Sequence, residues 1–140
     1  METAFLTGIN WIAVFCAALA YFALGAIWYS KVLFAKKWLE LTRIDPKNTD
    51  ATKGMAGIMI ASFVLMFITA TGLAILRNRL DIAGTMGGVK LGLVTGICFG
   101  AAAISISYLY EKRPKGLHLI NDAYTLAGNI IAAVIICIWP

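Results

Sequence analysis

Apolar residues in this chain neither alternate nor form stripes; they gather into four long runs with almost no charge, parted by short charged clusters. The first run, about residues 9–29, carries no charged side chain and meets the ~20 residues that a helix needs to cross ~30 Å of hydrocarbon. The second, about 55–76, is rich in Ile, Leu, Met and Phe and stops at Arg77, Asn78 and Arg79. The third, about 84–110, holds Lys90, whose long stem can snorkel to the interface, and ends at Glu111, Lys112, Arg113 and Pro114. The fourth, about 117–139, contains His118, Asn121, Asp122 and Asn129 and is the run with a carboxylate inside it. In hydrocarbon, backbone N–H and C=O groups are satisfied by helical bonding within each run. The pattern therefore predicts an all-α fold, an integral membrane bundle of four transmembrane helices, with residues 1–140 forming a single domain.

Between the first two runs, Val32, Leu33, Phe34, Trp38, Leu39 and Leu41 are interleaved with Lys36, Lys37, Glu40 and Arg43. This is the signature of an amphipathic interfacial segment, about 31–44, lying flat on the membrane. Asp45 and Pro46 then signal a turn.

Composition supports lipid as the solvent. The chain is 61% hydrophobic and 14% charged, whereas a soluble domain carries roughly a quarter of its residues charged. A net charge of +5 could suggest nucleic acid, but the cations sit in connections with no basic-aromatic interleaving, which argues against it. Lys31, Lys36, Lys37, Arg43, Lys47, Lys53, Lys112, Arg113 and Lys115 fall in the first and third connections. Arg77, Arg79 and Lys90 fall on the opposite side. The bias puts both termini outside the cytoplasm, and a bacterial inner membrane is the simplest host. Glu2 at the start and an apolar run continuing to Tyr29 argue against a cleaved leader. Cys16, Cys98 and Cys137 stand apart in apolar surroundings, so no metal site and no cofactor is expected. With one His, no serine elbow, no phosphate loop and no second carboxylate in the spans, no enzyme is expected either.

Three features could carry function. Gly84, Gly88, Gly92, Gly96 and Gly100 recur every four residues along the third span, a glycine zipper whose smooth face lets another helix approach closely. Ala13, Ala17 and Gly25 on the first span offer a matching face, interrupted by Tyr21. The glycine face would serve packing within the bundle or a homo-oligomer, with a narrow channel as a smaller option. His118, Asp122, Thr125 and Asn129 share one stripe of the fourth helix. They form a candidate polar or proton site, or else Asp122 is a helix-end carboxylate bonded to His118, Lys115 or Arg113. Trp28, Tyr29, Phe34 and Trp38 fit an aromatic belt anchoring the chain at the interface, or the lining of a ligand site.

Gly25, Trp28, Tyr29 and Ser30, followed by Phe34 and Trp38, resemble the domain of unknown function 1761 family of small bacterial membrane proteins. The Glu111 to Pro114 turn, Ile120, Asn121, Tyr124 and Trp139 extend the likeness over nearly the whole chain. This chain has Lys31 where the family often has Pro, and Ala123, Tyr124, Thr125 where Gly-Tyr-His is common. The resemblance implies about four spans and carries no activity. The resulting expectation is a nonenzymatic scaffold or accessory subunit that packs through the glycine-rich face, with the lipid bilayer and a homo-oligomer or larger membrane complex as partners. The alternative is a small oligomeric transporter or channel using the polar stripe.

Overall fold

The computed structural model describes residues 4–30, 32–43 and 54–139. After a short turn of 3-10 helix, Ala4–Leu6, helix α1 runs Trp11–Trp28. The Asn10 side chain accepts from the Ile12 and Ala13 N–H groups, closing two donors that the first turn leaves without a partner. Helix α2, Ala35–Thr42, ends at Arg43 in the left-handed region, φ 58°. Helix α3, Met55–Arg79, passes the end of the apolar run by three residues, because Arg77 and Arg79 favour the negative end of the helix dipole. The third span, Gly84–Tyr110, comprises α4 (Gly84–Val94), a π-helical stretch (Thr95–Ala101) and α5 (Ala102–Tyr110). Pro114 opens α6, Lys115–Ile138.

Four of these helical lengths are long and apolar enough to cross a membrane: α1, α3, the third span and α6. At 1.5 Å per residue the shortest, with 18 residues, reaches about 27 Å. Large apolar side chains such as Ile12, Ile60, Leu65, Phe99 and Leu119 point outward, the arrangement hydrocarbon favours.

Helix α6 is the hub, since α1, α3 and the third span all pack against it. Its sequence explains why. Gly128, Ala132 and Ala133 are buried and small, so neighbouring backbones approach closely and gain dispersion contacts where no water-driven force acts. Val14, Ala17 and Ala18 of α1 and Ala70, Leu73 and Ala74 of α3 complete this core.

One sequence expectation is corrected by this packing. The glycine face of the third span meets α6, not α1; the Ala13 and Ala17 face of α1 is itself buried in the core against α3 and α6. The interfacial segment is a two-turn helix whose apolar face turns onto the end of the bundle, with Trp38 edge-on to Tyr29 and Leu41 over Gly116. Gly116 leaves the notch in which Leu41 sits, and Lys36, Lys37 and Glu40 stay exposed on the other face of the helix. Lys31 and Ile44, the ends of that expected segment, lie outside the described residues.

Candidate functional site

Two side-chain assemblies converge on α6. The first ties it to the end of α1. Trp28 Nε1 donates to the Ile120 carbonyl at 3.1 Å, and the Tyr29 hydroxyl donates to Asn121 Oδ1. Asn121 Nδ2 in turn donates to the Tyr108 hydroxyl of α5 at 2.7 Å. One amide thus links three helices. Around it Tyr124 packs edge-on to Tyr29 and Tyr21, with ring centroids 5.2 and 5.3 Å apart, and Phe34 covers Trp28 at 5.0 Å.

This cluster fits together through an exchange of glycines. Tyr124 of α6 occupies the space that a side chain at Gly25 would need, and Tyr21 of α1 occupies the space at Gly128. In each helix the Tyr and the Gly are four residues apart, so two antiparallel helices each seat a ring in the other's notch. The polar tips of Trp28 and Tyr29, read from the sequence as interface anchors or the lining of a ligand site, are hydrogen-bonded to α6.

The second assembly is the polar stripe, which faces the third span along its length. A Cβ added at Gly88, Gly92 or Gly96 would collide with the α6 backbone at Val134, Ile130 or Leu126, and one at Gly100 would strike Thr125. Gly84 has nothing near it and instead takes the left-handed φ of 80° at the helix start. Asn129 is buried; its Nδ2 donates to the Thr125 carbonyl at 2.8 Å, and its Oδ1 lies 3.1 Å from the Thr95 hydroxyl. Thr95 Oγ1 also lies 2.9 Å from the Leu91 carbonyl, so its single proton serves one acceptor at a time.

That hydroxyl marks the start of the π stretch, where backbone competition from a Thr side chain loosens an α-helix. The consequence is a shift of phase. Residues 88, 92, 96 and 100 face α6 in steps of four, and Ser105, five residues further on, reaches α6 again. Ser105 Oγ donates to Asp122 Oδ2, and Tyr108 packs edge-on to His118 at 5.2 Å. The helix-end reading of Asp122 is corrected here: among the described residues its partner is Ser105 and not His118, Lys115 or Arg113, since the carboxylate points across to α5. Asp122 Oδ1 is buried with no hydrogen-bond partner among the described residues.

The two sequence signals, glycines on one span and a polar stripe on another, are therefore two sides of one interface. Sequence reasoning missed Thr95, Ser105 and Tyr108 and gave Asn121 no role, although the hydroxyls of Ser105 and Tyr108 share a helical face and could have been matched to the stripe. Beside this interface, a cleft of about 370 Å³ separates α3 from the third span. Tyr21, Thr69, Gly72, Thr95, Thr125 and Asn129 line it near mid-span.

A family model described as Protein of unknown function (DUF1761) matches residues 12–137. The chain belongs to that family. The match takes in all four spans, and the residues on which the sequence resemblance rests in the two halves of the chain, Gly25, Trp28, Tyr29, Phe34 and Trp38 with Asn121 and Tyr124, meet in the first assembly. The chain matches no curated protein and no solved structure.

Proposed function

We propose that this DUF1761 protein is a nonenzymatic membrane scaffold or accessory subunit, and that its docking surface is the cleft between α3 and the third span. One observation carries the reading: Asn121, Asp122 and Asn129 of α6 are tied to α1 and the third span, while a cleft beside them, lined by Thr69, Gly72 and Thr95, stays open between α3 and the third span. Polar groups at that depth favour a protein neighbour over lipid. Gly72, with open space around it, would let a partner helix come close. The glycine face of the third span is occupied by α6 within one chain, which moves the expected self-packing surface to the cleft.

Native mass spectrometry of the complex extracted with its lipids tests this. The expected result is a second polypeptide or a second copy bound to the wild type and lost in Gly72→Leu, with the variant still folded. A lipid-bearing monomer in both cases would sink the scaffold reading. The same proposal places the end bearing Arg43, Lys112, Arg113 and Lys115 in the cytoplasm of a bacterial inner membrane, with both termini outside. Reporter fusions at each terminus read that orientation directly.

A second reading, a small transporter, is favoured by the unpartnered oxygen of Asp122. It requires a pH-dependent flux in liposomes that Asp122→Asn abolishes.

A further inference from the structure

The turn joining the third span to α6 is more elaborate than a connector requires. Lys112 is held at a left-handed φ of 56°, and a cavity of about 520 Å³ opens beside it between α5 and α6. Lys112, Arg113, Lys115 and His118 line one side of it, and Leu109 and Leu119 another. Glu111, 3.5 Å from Arg113 Nε, offsets one of these cations and leaves the cavity positive. The first turn of α6 adds its own partial positive charge, since no side chain caps it. Leu109 and Leu119 are 70% and 72% exposed and belong to the spans, so they lie on the hydrocarbon side of the cations.

An occupant that suits both sides is anionic at one end, apolar at the other, and resident at the membrane surface. We propose that this cavity binds the phosphodiester headgroup of an anionic phospholipid, with the acyl chains running along Leu109 and Leu119. A free phosphate or nucleotide would satisfy the cations yet gain nothing from the leucines. The site is separate from the α3 cleft and does not depend on any partner docking there.

The test uses the full chain in nanodiscs of phosphatidylcholine with a minor fraction of phosphatidylglycerol, followed by native mass spectrometry of retained lipid. Wild type should retain phosphatidylglycerol over phosphatidylcholine. Each cation removed should weaken retention about fivefold, so Lys112→Gln with Lys115→Gln should lose on the order of twentyfold. Lys36→Gln with Lys37→Gln removes the same charge from exposed positions on α2 and should retain the wild-type level. Lys112→Arg with Lys115→Arg should restore retention, which a misfolded protein would not do. Equal loss in the α2 pair and the cavity pair overturns the proposal. Displacement of the retained lipid by millimolar inorganic phosphate also overturns it, and assigns the cavity to a soluble anion.

Discussion

Gly92 rests against the α6 backbone at Ile130, where even one methyl group has no room. Gly92→Ala must therefore push the third span and α6 apart or bend one of them, and should destabilise the bundle by about 1–3 kcal/mol in reversible unfolding from detergent into SDS. Gly57 has nothing within 4 Å, so Gly57→Ala should be neutral or gain up to about 1 kcal/mol from helix propensity. If both substitutions have the same effect, the close approach is not what the glycines provide. The bond from Tyr29 to Asn121 tests the first assembly in the same way. A double-mutant cycle with Tyr29→Phe and Asn121→Ala should yield a coupling of about 0.6–1.7 kcal/mol, the range for interhelical polar contacts in membranes. Zero coupling would mean that the hydroxyl and the amide do not interact.

At the level of the helix, the π stretch behaves as one extra residue accommodated in an α-helix. Deleting Phe99, which points outward, should let the turn relax to α while Gly96 and Ser105 keep facing α6, because a spacing of nine becomes eight. Inserting an Ala after Phe99 should instead rotate Ser105 away. The measurement is oxidative cross-linking of Ser105→Cys to Asp122→Cys in a chain lacking Cys16, Cys98 and Cys137: retained on deletion, lost on insertion. The π stretch was invisible in the sequence, since five glycines at intervals of four read as one uninterrupted helical face. The four spans were legible, because lipid dictates length and apolarity residue by residue. That His118, Asp122, Thr125 and Asn129 share a face was legible too. Which helix that face meets was not. Small residues occur on α1, the third span and α6 alike, and only close fit, Tyr21 in the notch at Gly128 and Gly92 on Ile130, decides among them. The orientation of α2 was hidden for a related reason, as an apolar face fits a membrane surface and the end of a bundle equally well.

Across the molecule, α6 is the common neighbour of every other span, yet it is the fourth in order along the chain. Stopping the chain before Lys115 should therefore not trim one layer from the protein but abolish it. Pulse-chase in cells should show a truncated product degraded within minutes while the full chain persists, and a stable three-span fragment would contradict this. During synthesis, the first three helices enter the bilayer as strangers: α1 with a ring and a notch exposed, and the third span with a bare groove. Assembly is thus deferred to the moment when α6 leaves the ribosome, and any quality-control factor that guards half-built membrane proteins has its longest opportunity to seize this one just before then.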